Sequence, residues 1–149
     1  MSEEKLYFTL CWLPELIRWS KVISHFLKPG GIFYIRDDHP VAVMIDDNLK
    51  ASRNYFHEEK PIIDKPRGSY AYSNDDPIIT TESCEWHHGM SDIIGSLLRA
   101  GLTLDFFHEF PYTGFERYKK LMFQDSDGWF KFKDKNIKIP LMFSLKATK

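Results

Sequence analysis

Leu27-Lys28-Pro29-Gly30-Gly31-Ile32-Phe33-Tyr34-Ile35-Arg36-Asp37-Asp38-His39-Pro40 is the stretch whose reading decides the fold. Leu27 closes an apolar helical stripe. Pro29 cannot continue a helix, and the two glycines can take the positive φ values of a tight turn. Ile32 to Ile35 is an unbroken apolar run, the pattern of a strand covered on both faces, as in a parallel sheet. Two carboxylates and a histidine follow at once. Ligands of open α/β sheets sit beyond the carboxyl ends of the strands. Asp37, Asp38 and His39 are therefore the first candidates for chemistry. Asp38 and His39 are cast as general base and orienting group.

Working upstream, Leu16, Trp19, Val22, Ile23, Phe26 and Leu27 recur at helical spacing. Pro14 and Glu15 suit the first turn of that helix. Leu6 to Trp12 is a short apolar run, read as a strand remnant or the loop after one. Downstream, residues 38–86 form a long, proline-punctuated insertion of the kind that serves as a lid or substrate loop. Within it, Val41 to Leu49 has the spacing of one short helix. Gly68 to Tyr72 and Ile78 to Trp86 are expected to pair as a hairpin across Asn74-Asp75-Asp76-Pro77. Gly89 to Ala100 reads as a second helix stopped by Gly101. Leu102 to Phe110 reads as a strand with Leu102, Leu104, Phe106, His108 and Phe110 on one face. Phe115 to Phe123 is expected to be helical, Asp125 to Gly128 a turn, Trp129 to Phe132 a short strand, and Leu141 to Ala147 a closing strand. The order is that of part of an α/β layered domain.

Length and composition bound the function. The chain has 149 residues, enough for one domain with its own core. A formal net charge of -1 argues against a broad nucleic-acid or anionic-membrane footprint. Aromatic residues make up 15%, which points to an aromatic-lined cavity or interface in addition to a core. The two cysteines, Cys11 and Cys84, lie far apart in apolar or aromatic surroundings, so a reduced, cytoplasmic setting without disulfides is expected. No apolar run is long enough for a membrane span.

A set of motifs in order carries a resemblance. Cys11-Trp12-Leu13-Pro14-Glu15-Leu16, then Trp19, then Leu27-Lys28-Pro29-Gly30-Gly31-Ile32-Phe33-Tyr34, then Asp38-His39-Pro40 resembles the class I S-adenosylmethionine-dependent methyltransferases. Trp86-His87-His88-Gly89-Met90 through Gly101-Leu102, and His108-Glu109-Phe110-Pro111-Tyr112, look like the next helix and sixth strand of one bacterial subgroup. Pro140 to Ala147 looks like the seventh strand, which in that family is antiparallel and lies between the fifth and sixth. The resemblance implies a partial Rossmann-like sheet, strands five to seven with flanking helices and a long insertion. On this reading residues 1–149 are a single domain, the C-terminal half of the family fold. The family's glycine-rich turn and ribose-binding acid have no counterpart in Met1 to Cys11, and the first glycine is Gly30. No residue is therefore assigned to the cofactor.

The resemblance implies S-adenosylmethionine as cofactor and a small molecule as methyl acceptor, with the isolated chain incomplete or inactive. Cys11, Trp12, Asp37, Tyr70, Trp86 and His87 are the expected substrate-binding residues. The alternative is a non-catalytic remnant that binds a small molecule or dimerises. An incomplete sheet exposes a strand edge, which invites pairing, so a homodimer is expected. His87 and His88, with His39, Asp38 or His108, are considered as a metal site and set aside, because adjacent histidines diverge and no His-x-x-x-His pair shares a helical face. Neither a nucleic-acid nor a membrane partner is expected.

Overall fold

The computed structural model describes residues 9–64 and 82–149. A single 3₁₀ turn, Leu10–Trp12, leads into α1, Leu16–Phe26. Strand β1 is Ile32–Asp38, followed by the short helix α2, Pro40–Met44. Two three-residue strands, β2 (Ile62–Asp64) and β3 (Ser83–Glu85), precede α3, Met90–Arg99, and β4, Thr103–Phe110. Strands β5 (Met122–Gln124) and β6 (Phe130–Phe132) form a hairpin, and β7, Met142–Thr148, completes the main sheet. No helix is long and apolar enough to cross a membrane among the described residues.

The main sheet has the order β1-β7-β4, and β7 runs antiparallel to both neighbours. β1 and β4 therefore run parallel to each other with an antiparallel strand between them. This is the arrangement expected of the closing strand. The register aligns Ile35 with Leu145 and Leu145 with Phe107, so one row of side chains crosses all three strands toward the helices. Leu16 of α1 and Ile93 and Leu97 of α3 close over Phe143, Leu145 and Ala147 of β7. Both long helices thus lie on one face of the sheet.

The turn before β1 explains its two glycines separately. Gly30 has φ +75°, which an L side chain rarely adopts. At Gly31 a Cβ would stand 2.8 Å from the Lys28 carbonyl oxygen, which accepts the Gly31 N–H at 2.8 Å. The first glycine supplies a dihedral angle and the second supplies room.

Several expectations are corrected. The apolar run of β1 is not covered on both faces, nor are its direct pairings parallel. Its only ladder among the described residues is antiparallel, and Ile32 and Tyr34 are 57% and 55% exposed. Only Phe33 and Ile35 pack toward the core. The strand also continues through Asp37 and Asp38, which end it rather than follow it. On α1, Glu15 is the cap, accepting from the N–H groups of Ile17 and Arg18, and Val22 and Phe26 flank the buried stripe in solvent. The helix expected from Val41 to Leu49 stops at Met44, and Leu49 takes φ +59°.

β3 pairs with β2; Gly68 to Tyr72 and the turn at Asn74 to Pro77, expected to form a hairpin with it, lie outside the described residues. β4 does not keep one alternation. A bulge between Leu104 and Phe106 changes its phase, so Leu104 and Phe107 both reach the core while Phe106 and His108 stack on the opposite face. Phe115 to Phe123 is not helical. Tyr118 is buried with its hydroxyl donating to the Ala42 carbonyl at 2.8 Å, and Lys120 takes φ +70°, so tertiary contacts override the helical spacing.

Candidate functional site

Asp37 and Asp38 are successive strand residues, so their side chains leave opposite faces of β1. Asp37 turns to the helix face. Its Oδ2 accepts from the N–H groups of Thr9 at 3.1 Å and Leu10 at 3.2 Å, and its Oδ1 from the N–H of Asp38 at 2.8 Å. One carboxylate thereby fastens the 3₁₀ turn to the end of the strand and supplies the negative charge that such a cluster of N–H groups favours. Cys11, inside that turn, gives its carbonyl to the Trp86 N–H at 2.8 Å. The His88 ring Nε2 meets the Leu13 carbonyl at 2.7 Å. Residues 10–13, 37–38 and 86–88 are drawn together this way.

They enclose a cleft of about 40 Å³. Leu10, Pro40, Val43 and Ile93 make its apolar wall. Asp37, Asp38, Cys11, Trp86, His87 and His88 make the rest. Of the residues expected to bind substrate, Cys11, Asp37, Trp86 and His87 line this one cleft, beside Asp38. Trp12 does not line it and is 45% exposed. Tyr70 lies outside the described residues.

His39 is also absent from the lining. Its Nδ1 accepts from the Val41 N–H at 3.1 Å, capping α2, and its Nε2 faces Glu109 Oε1 at 3.0 Å across the sheet. The contact is close but off line for a hydrogen bond. Pro40 at the next position suits the start of α2, which His39 caps.

Asp38 is the electrostatically unusual group. Its side chain is 4% exposed, and Oδ2 is paired with the Arg117 guanidinium. Burial raises its pKa to about 6. The positive charge of Arg117 opposes that rise and the negative charge of Asp37 adds to it. Cys11 is pushed up to about 12 by burial, reinforced by Glu85 and Asp37, so it is a thiol at neutral pH and no nucleophile. Burial lowers the pKa of His88 against the pull of its bond to the Leu13 carbonyl.

The insertion furnishes an outer wall. His87 Nδ1 meets the Asn54 carbonyl at 2.9 Å, and His57 Nδ1 meets the His87 carbonyl at 3.0 Å. A carbonyl can only accept, so both rings carry their proton on Nδ1 when neutral. Trp86 Nε1 donates to the Glu59 carbonyl at 3.2 Å, and Arg53 pairs with Glu85 at 3.3 Å. His57 stacks on His88 with ring centroids 4.8 Å apart. The described part of the insertion is thus tied to the cleft along its length.

Sequence reasoning missed Arg117 as the partner of Asp38, because the two stand 79 residues apart with no local signal. It considered His88 only for metal. Among the described residues no group of three or more His, Cys, Asp or Glu side chains is placed to hold a metal ion.

The nucleoside cofactor implied by the resemblance can be tested against this geometry. About 40 Å³ is room for a few water molecules, whereas pockets that bury a drug-sized ligand run to roughly 300–1,000 Å³. The N–H groups of Thr9 and Leu10, at the start of the 3₁₀ turn, are already occupied by Asp37. The described residues do not fit the whole cofactor.

No protein-family model matches the chain, and no curated protein sequence matches it. Solved structures do match in fold. A protein of Listeria monocytogenes described as a candidate S-adenosylmethionine-dependent methyltransferase aligns with a TM-score of 0.54 and 16% identity, over 96% of this chain and 59% of its own. An S-adenosylmethionine-dependent methyltransferase of Mesorhizobium loti aligns with a TM-score of 0.52 and 13% identity, with the same shares covered. The chain has a methyltransferase-like fold and spans 59% of the length of these two structures.

Proposed function

We propose that this chain supplies the methyl-acceptor side of an S-adenosylmethionine-dependent methyl transfer to a small molecule. On this reading it corresponds to the C-terminal half of a Rossmann-like methyltransferase sheet, and residues 38–86 are an insertion beside the acceptor cleft. The observation that carries the reading is the cleft itself. It opens beyond the carboxyl end of β1 and joins a carboxylate to aromatic and apolar walls, on a sheet whose antiparallel strand lies between two parallel ones.

Asp38 is the group there suited to take a proton near neutral pH, since its pKa is about 6. Trp86 and His87, tied through Glu59 and Asn54, hold the acceptor's body in place. Cys11 packs as a neutral thiol. No described residue is assigned to the cofactor.

Two titrations of the purified chain test this. Calorimetry with S-adenosylhomocysteine is expected to show no micromolar binding, because the cofactor lacks a site among these residues. Two-dimensional NMR against a panel of small organic fragments is expected to shift the Trp86 indole signal and the methyl signals of Leu10, Val43 and Ile93. Micromolar binding of the cofactor product would refute the half-fold reading. A panel that leaves the cleft signals unmoved would refute the acceptor cleft.

A further inference from the structure

We infer that the cleft beyond β1 selects a small amine, a compact apolar body carrying a positively charged nitrogen, over alcohols and carboxylates of the same shape. The inference rests on the acceptor-cleft reading and adds the acceptor's chemical class.

The charge of the lining is of one sign. Asp37 and Asp38 are its only Asp, Glu, Lys or Arg residues. Arg117 reaches Asp38 without lining the cleft, and Arg53 is engaged with Glu85 and with His87 Nε2 at 3.4 Å. His88 is held toward its neutral form by burial, and His87 Nε2 lies 3.4 Å from the Arg53 guanidinium.

The hydrogen-bonding inventory points the same way. Asp37 spends both oxygens on three backbone N–H groups, so it contributes charge but little further bonding capacity. Asp38 gives Oδ2 to Arg117, and its Oδ1 accepts from no donor among the described residues. Asp38 lines the cleft, and a carboxylate there can accept from a ligand donor. An ammonium supplies three donors and a charge of the right sign. Trp86 also lines the cleft, and an indole ring attracts cations at its face. A ligand carboxylate would meet two like charges in a desolvated site, and an alcohol would bring a donor without the charge. The small volume limits the apolar body to a few carbons.

Isobutylamine, isobutanol and isobutyrate are matched in shape and test the inference on the intact chain. Each is titrated while the Trp86 indole and the Leu10, Val43 and Ile93 methyl signals are followed. Isobutylamine is expected to bind at least tenfold more tightly than isobutanol, with isobutyrate weakest. In the Asp38→Asn chain the preference for the amine over the alcohol is expected to fall at least threefold. An alcohol that binds as well as the amine, or a carboxylate that binds better, overturns the inference while leaving the acceptor cleft standing. Failure of all three compounds to move the cleft signals overturns both. The wild-type ranking decides the matter even if the variant does not fold.

Discussion

Replacing Asp38 by Asn tests which of two opposed effects governs the centre of the site. Burial disfavours the charged carboxylate, and Arg117 favours it. Burial wins here, moving the pKa from 3.8 to about 6. At about 1.4 kcal/mol for each tenfold change in proton affinity, ionising Asp38 costs the folded chain about 3 kcal/mol relative to the unfolded one. The sign follows from proton binding. Between about pH 4 and 6 the folded chain keeps a proton that the unfolded chain has lost, so stability falls as pH rises through that window and then levels off. Asn is neutral at every pH and nearly the same shape. Urea denaturation of both chains at pH 4, 5, 6 and 7.5 reads the difference directly. The Asn variant should gain on the wild type by up to about 3 kcal/mol between the lowest and highest pH, whatever offset the lost Arg117 pairing adds at all of them. A wild type that instead gains on the variant as pH rises would refute the reasoning, because it would place the Asp38 pKa below 3.8 and make Arg117 dominant.

Two more predictions concern residues of the cleft and of the segments that frame it. Gly89 has ordinary backbone angles, but a Cβ there would stand 2.9 Å from the Tyr55 ring, whose hydroxyl accepts the Met90 N–H at 3.2 Å. Gly89→Ala should cost about 1–3 kcal/mol of stability, and Tyr55→Leu in the same chain should recover part of it. Equal stability of Gly89→Ala and wild type in denaturant would show that the ring is not held there. Thiol titration with a coloured disulfide reagent near pH 8 should modify Cys84, which is exposed, and spare Cys11 until the chain unfolds. Fast reaction of a Cys84→Ser chain would contradict a buried, protonated Cys11.

Where local rules acted alone, the sequence was readable. The α3 helix, the Asp125 to Gly128 turn and the strands β1, β4 and β7 all follow from periodicity and turn chemistry, and Gly128 takes the φ of +86° that its turn demands. Asp37 and Asp38, read as following β1, form its end and line a cleft there. Long-range effects were not readable. The bulge that changes the phase of β4 falls in a run read as one alternation, with Phe107 alone apolar on the other face. Phe115 to Phe123 has helical spacing but is pinned by the Tyr118 bond to Ala42, 76 residues away. His39, read as part of the site beside Asp38, caps α2 through its Nδ1, a bond the sequence did not signal. Arg117 joins the site only because the fold brings its loop to the end of β1.

The central place of β7 has a consequence during protein synthesis. β1 and β4 each pair only with β7 among the described strands, and β7 is the last of them to be made. Ile32 emerges about 110 residues before Met142, and at roughly 5–20 residues per second its partner follows roughly 5–20 seconds later. Through that interval Ile32-Phe33-Tyr34-Ile35 is an apolar segment still lacking β7, its one partner among the described strands. The cleft cannot take shape before then, because β7 is what fixes the strand end that carries Asp37 and Asp38.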